Sequence, residues 1–376
     1  MTDAAQARSA VREASRIVIK IGSSSLTTPE GQLDKAKLIA LVDTAADLVA
    51  QGKQVVLVSS GAIASGLGPM GLSHRPRELA TQQAVASVGQ GILLASYSSE
   101  FGRHGIQVGQ VLLTADDVDR RAHYRNARQT LAQLLELGVV PVVNENDTVA
   151  TNEIRFGDND RLAALVAHIV EADALILLSD TDSLYDRHPS DPDAKAISVV
   201  ASSDRLEGVD IGGPGSGVGS GGMKTKVEAA RIAGAAGIPV VLTSAAQADV
   251  AVSGDEVGTI FLPKTTRSNS RLLWLKYATE AQGRLVLDDG AVNALTRSNA
   301  SLLAVGVTAV EGEFSAGDPV DFVDSAGRVI GRGLSNFDAN EVPAMLGKSS
   351  SDLLATLGPE YERELIHRDD LVLFVG

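Results

Sequence analysis

The chain has 376 residues, 44% hydrophobic and 21% charged, with 37 glycines, 3% aromatics and a net charge of −14, a composition that suits a folded protein of two domains or three. With no cysteine in the sequence, disulfides, thiolate metal sites and a cysteine nucleophile are excluded. The acidic balance and scarce aromatics speak against nucleic-acid or anionic-membrane surfaces, so a polyanionic ligand needs locally concentrated cations.

The first fifteen residues, MTDAAQARSAVREAS, lack the apolar stretch of a signal peptide, and no run of about eighteen apolar residues follows anywhere. A cytoplasmic location is the expectation. Ile17 to Ile21 is a short β-branched run that carries Lys20 and opens into Gly22-Ser23-Ser24-Ser25. Asp34 is placed to cap a helix whose Leu38, Leu41, Val42, Ala45, Leu48 and Val49 recur at helical spacing, with Gly52 as its stop. Val55 to Val58 reads as a buried parallel strand leading into Ser59-Ser60-Gly61. The alternation continues with a helix over 78–100, a strand over 108–113, a helix over 121–137, a strand over 139–143, a helix over 160–171, a strand over 174–178, a helix over 223–236 and a strand over 238–242. Repeated βα units predict a mostly parallel sheet sandwiched by helices. Residues 263–280 read as a linker with a short helix. Beyond it, strand candidates over 284–287, 302–310, 319–323 and 329–334, punctuated by Asp288-Asp289-Gly290, Ser315 to Asp318 and Ser325-Ala326-Gly327, predict a small, mostly β domain over 281–376.

The most informative stretch is VVPVVNENDTVATNEIRFGDND at 139–160. An apolar strand opens directly into carboxylates and carboxamides, where an open α/β sheet places its ligand. Asn144, Asp147, Asn159 and Asp160 are the candidates; capping of the following helix by Asp158 or Asn159 accounts for part of this pattern, but not for two clusters. The run GGPGSGVGSGGMKTK at 212–226 enters a helix near Met223, and a glycine-rich loop at a helix start offers backbone N–H groups to phosphate. Lys226 would stand in the first helical turn, unfavourably for a cation unless an anion lies nearby. A flexible linker is the plainer reading of that run, and a solvated strand-end lysine the plainer reading of Lys20. The run also matches G-x-G-x-x-G, but without the preceding strand a dinucleotide site requires. Ser179-Asp180-Thr181-Asp182 is a strand-end turn or a nucleotide contact. Gly347-Lys348-Ser349 lacks the upstream glycine of a Walker A loop, and the six histidines show no zinc-site spacing.

The segments IVIKIGSSSL (17–26), VSSGAIASG (58–66), VGQGILL (88–94), VGQVLLT (108–114), VVNENDTVATNEIRFGDND (142–160), LILLSDTDSLY (175–185) and GSGGMKTKVEAA (219–230) resemble the amino acid kinase family, and within it the branch that phosphorylates glutamate. The C-terminal domain resembles a PUA domain. The resemblance implies an amino acid kinase domain over 1–262, a linker over 263–280 and a PUA-like domain over 281–376. It implies transfer of the γ-phosphoryl of ATP to the γ-carboxylate of L-glutamate, the first step of proline biosynthesis, with Mg²⁺ carried by ATP and no metal site of the protein's own. Lys20 and Lys226 match lysines that flank the phosphoryl group, and Asp160 the aspartate that orients them. Ser60, Asp147, Asn159 and Asn144 fall at substrate positions. Lys20, Gly22, Ser179, Asp180, Ser220, Gly221, Gly222, Met223, Lys224, Thr225 and Lys226 fall at ATP positions. Feedback inhibition by proline and a homo-oligomer, dimer or tetramer, are also implied.

Two other functions fit parts of the chain: another kinase of the same family, acting on acetylglutamate, aspartate or carbamate, and an RNA-binding regulator working through the PUA-like domain. Residues 281–376 carry 7 Lys and Arg against 15 Asp and Glu, a net of −8, which lacks the basic footprint of RNA binding.

Overall fold

The structure, a computed structural model, describes residues 3–28, 32–114, 117–118, 121–150, 159–201, 206, 222–264, 275, 281–298 and 300–374. The chain divides into two compact units, Met1–Ser268 and Asn269–Gly376. Most of the 263–280 linker expectation, its short helix included, lies outside the described residues.

The first unit is an eight-stranded sheet. Its strands are β1 (Arg16–Ile21), β2 (Gln54–Ser59), β3 (Val108–Leu113), β4 (Val140–Glu145), β5 (Ala174–Ser179), β8 (Val199–Val200), β9 (Val240–Ser244) and β10 (Thr259–Phe261), in the order β3-β4-β2-β1-β5-β9-β10-β8; β6 (Leu184–Tyr185) and β7 (Ala196–Ile197) form a separate antiparallel pair. All pairings in the large sheet are parallel except β10 with β9. The strands read as continuous apolar runs because both faces are covered by helices; in β1, Ile17, Val18, Ile19 and Ile21 are all buried. Asp34 caps the Lys35–Ala50 helix as expected, accepting from the N–H groups of Ala36 and Lys37.

In this unit β4 and β9 start later than the sequence reading, each for a local reason. Gly138 adopts a left-handed φ of 71°, and Val139 N–H turns back to Leu134 O at 2.9 Å. That helix-ending turn consumes Val139, so β4 begins one residue later and runs on through Asn144 and Glu145. Likewise Gly237 (φ 79°) and Pro239, which has no N–H for a ladder, push β9 to start at Val240.

Chain direction determines where these strands converge. From β1 the chain moves to β2, β3 and β4 on one side, and then to β5 on the other. The carboxyl ends of β4, β2, β1 and β5 are therefore neighbours across the point where winding reverses, the ligand crevice of open α/β sheets.

The second unit is a five-stranded sheet of β11 (Gly283–Leu287), β12 (Val307–Gly312), β13 (Pro319–Val323), β14 (Val329–Leu334) and β15 (Leu371–Leu373), ordered β12-β11-β13-β14-β15. Only β11 and β13 pair in parallel. Leu285, Leu295, Phe322, Phe337, Met345 and Ile366 lie in its core. The turn expected at Asp288-Asp289-Gly290 is instead a helix start: Asp288 Oδ1 accepts from Ala291 N–H at 2.7 Å, and the helix runs over Asp289–Ser298. The strand expected over 302–310 begins at Val307, because Ala304–Gly306 forms a 3-10 turn and Leu302 makes an isolated bridge to Ile366.

Candidate active site

Lys20 lies inside β1, paired with Val58 on one side and Leu177 on the other, and is only 1% exposed. It is therefore not a solvated strand-end lysine. Its Nζ lies 2.5 Å from Asp160 Oδ1. Asp160 is fully buried in the first turn of the Asn159–Ile169 helix, where the helix dipole favours a carboxylate. Its second oxygen, Oδ2, accepts from Lys226 Nζ at 3.0 Å. Lys226 stands in the first turn of the Met223–Ala235 helix, and Asp160 is the anion that offsets this unfavourable placement. Thr225 supports the arrangement. Its Oγ1 lies 2.7 Å from Gly222 O and 3.1 Å from Asp160 Oδ2, so its single hydrogen serves one or the other, and it accepts from Gly222 N–H at 3.2 Å.

The three charged groups sum to one formal positive charge in a water-poor setting. Desolvating two ammonium groups is expensive, and a shared carboxylate recovers only part of that. An arrangement of this kind favours an incoming anion. Gly22 lies directly beside Lys20: a Cβ built on it would sit 3.7 Å from Lys20 Nζ, in ordinary van der Waals contact.

A second set of side chains joins β2, β4 and two helices. Asn159 Nδ2 donates to Ser59 O at 2.8 Å and to Asn144 Oδ1 at 2.7 Å. Asn144 Oδ1 also accepts from Glu145 N–H at 2.9 Å, and Asn144 Nδ2 donates to Gln90 Oε1 at 2.7 Å. Asn144 is buried, and its side chain serves its neighbours. The first turn of the Asn159–Ile169 helix thus presents adjacent residues to different partners: Asn159 to β2 and β4, Asp160 to the lysines.

Ser60 is held at the same edge by its N–H, which donates to Ile21 O at 3.2 Å. Gly61 follows with φ 103°, a conformation that suits glycine, and starts the short Ala62–Leu67 helix. That helix lies against the Leu79–Gly102 helix at backbone contact: a Cβ on Gly89 would fall 1.8 Å from Ala62 O, and one on Gly66 2.1 Å from Val85 O. Beneath them, fully buried Tyr97 sits 2.9 Å from Ser59 Oγ, which in turn donates to Ser60 O.

Ser179 ends β5, buried, with its hydroxyl 3.1 Å from Asp180 Oδ1; Asp180 is exposed. Asp147 is half-buried in the turn after β4. Met223 is half-buried and Lys224 exposed at the start of their helix. Ser220 and Gly221 lie outside the described residues. The sequence reading did not single out Gln90 or Tyr97. Both lie on the buried stripe of the Leu79–Gly102 helix with Val85, Ala86, Gly89, Leu93 and Phe101, and a glutamine on so apolar a face is the available signal for the first of them.

Residues 15–244 match the amino acid kinase family, and residues 283–357 match the PUA domain. The chain belongs to the amino acid kinase family. It is 60% identical over 370 residues to the glutamate 5-kinase of Streptomyces coelicolor, covering 98% of this chain and 99% of that one. It is 60% identical over 367 residues to the glutamate 5-kinase of Salinispora arenicola, covering 97% and 100%, and 56% identical over 374 residues to that of Thermobifida fusca, covering 99% and 96%. Among solved structures, the carbamate kinase from Giardia lamblia bound to AMP-PNP covers 66% of this chain and 99% of its own, with 17% identity and a TM-score of 0.49. No helix among the described residues is long and apolar enough to cross a membrane.

Proposed function

We propose that this chain transfers the γ-phosphoryl group of ATP to the γ-carboxylate of L-glutamate, the glutamate 5-kinase reaction that opens proline biosynthesis. The observation that carries the reading is the pair of buried lysines on opposite oxygens of Asp160, at the carboxyl ends of the central strands. The names of relatives aligned over nearly the whole chain support the choice of glutamate.

The chemistry suits these groups. The acceptor carboxylate is already an anion, so no general base is needed. A carboxylate oxygen forms a bond to the γ-phosphorus, the bond to the β–γ bridging oxygen breaks, and ADP leaves with that electron pair. The obstacle is the approach of one anion to another. Transfer then depends on alignment and charge stabilisation, which Lys20 and Lys226 supply while Asp160 fixes their positions through charge-assisted hydrogen bonds. Gly22 and the glycine-rich run before Met223 serve the phosphates in this reading, and Ser179 and Asp180 flank the nucleotide. Asp147 and Asn159 hold the amino acid, with Ser60 closing its other side. Asp160 is given to the lysines in this reading, and Mg²⁺ enters as part of the MgATP substrate. Proline, a ring-closed relative of glutamate, inhibits in this reading, and the active form is a homo-oligomer.

The deciding experiment is a hydroxamate assay, in which hydroxylamine traps the acyl phosphate. Product that depends on both ATP and L-glutamate supports the reading. ATP consumption with acetylglutamate, aspartate or carbamate in place of glutamate refutes it.

A further inference from the structure

Hydrogen-bond direction in the carboxamide chain can be read from one fixed point. Glu145 N–H is a backbone donor and cannot be reversed, and it points at the Asn144 side chain at 2.9 Å. The atom receiving it must be Oδ1, so Asn144 Nδ2 faces Gln90, and the Gln90 atom 2.7 Å away must be Oε1. In the other direction, Asn144 Oδ1 requires a donor from Asn159, which is Nδ2, and the same nitrogen also donates to the carbonyl of Ser59. Both hydrogens of that amide are therefore committed, and its oxygen is left on the opposite side. Asn159 Oδ1 takes no hydrogen bond among the described residues.

Gln90 bears the cost of this direction. It is 9% exposed, and its Nε2 is buried with no hydrogen-bond partner among the described residues. A buried amide left with an unmet donor is unfavourable. Turning the group over would satisfy neither end, since it would set Nε2 against Asn144 Nδ2.

We infer that Gln90 is a positioning residue, which through Asn144 orients Asn159 so that its Oδ1 meets a hydrogen-bond donor of the substrate, the α-ammonium group of the acceptor amino acid. This rests on the proposed amino-acid-phosphorylating function. The corresponding plain dicarboxylate has only C–H groups at that point and offers no donor to Asn159 Oδ1, so the arrangement selects an amino acid over it. Gln90 itself touches no substrate.

The test compares L-glutamate with glutarate, which lacks the ammonium group, in wild type, Gln90→Met and Gln90→Glu. Methionine keeps the shape and loses the acceptor; glutamate keeps an acceptor toward Asn144. Loss of one oriented hydrogen bond predicts a KM for L-glutamate raised about tenfold in Gln90→Met, with kcat and the KM for ATP little changed, and a smaller gap between glutamate and glutarate. Gln90→Glu keeps most of that gap. A purely structural role would weaken both acceptors equally, and that outcome overturns the inference. So does a Gln90→Met enzyme that discriminates like wild type. Should either variant fail to fold, wild type alone decides: glutarate competing as well as L-glutamate contradicts an ammonium contact. A wild type inactive with glutamate would instead refute the underlying function, a distinguishable result.

Discussion

Asp160 Oδ1 and Lys20 Nζ lie 2.5 Å apart with side-chain exposures of 0% and 2%, so the helix that begins at Asn159 is tied to the middle of the sheet by a buried charge pair. The far oxygen of the same carboxylate reaches Lys226, which ties in a second helix. One anion holds two cations, and neither lysine can be considered without it.

Asp160→Asn removes that anion while keeping its shape. Breaking a buried pair from one side typically costs about 3 to 5 kcal/mol, because the partner charge stays behind. Urea unfolding should show a loss of this order, part of which saturating ATP restores by binding the folded state. A change under about 1 kcal/mol, with no extra response to ATP, would mean that the carboxylate does not hold the lysines.

Gly89 tests the platform beneath Ser60. Its substitution by alanine drives a methyl into Ala62 O and Gly66 N, and overpacking of this kind costs about 1 to 3 kcal/mol. Gly91, two residues on, has nothing within 4 Å of a built Cβ, so Gly91→Ala should be neutral or stabilising by up to about 1 kcal/mol. Denaturation midpoints that move together in the two variants would contradict the close helix approach.

Much of this was legible in the sequence because the fold follows from short-range rules. Apolar runs of four to six residues ended at glycines or polar clusters, and Lys20, Ser60 and Ser179 lie at or next to those ends. What escaped was set by partners distant in sequence. Lys20 alone fits a surface lysine equally well; its burial beside Asp160 depends on a residue far along the chain. Gln90 looks like an ordinary helix residue until β4 brings Asn144 against it. The three-residue strand β10, antiparallel to its neighbour, is too short to show a period, and Asp288 signals a turn or a helix start with the same side chain.

Alkaline stability should carry the signature of Tyr97. Burial holds its phenol above the ordinary value. In the unfolded chain the phenol loses its proton near pH 10, while the folded protein keeps it neutral, so stability declines as pH rises past about 10, by up to about 1.4 kcal/mol per pH unit. Below that pH this group adds no slope. Tyr97→Phe should flatten the decline when urea midpoints are compared between pH 9 and 11. Parallel curves for the two proteins would show that Tyr97 is not held neutral.

If Lys20 and Lys226 together stabilise the migrating phosphoryl group, steady-state kinetics of Lys226→Ala will show it. Removing a cation that acts mainly in the transition state should lower kcat by about 10² to 10³, with a far smaller rise in the KM for ATP. An unchanged kcat, with only ATP affinity affected, would mean that Lys226 does not act on the transferring phosphoryl group.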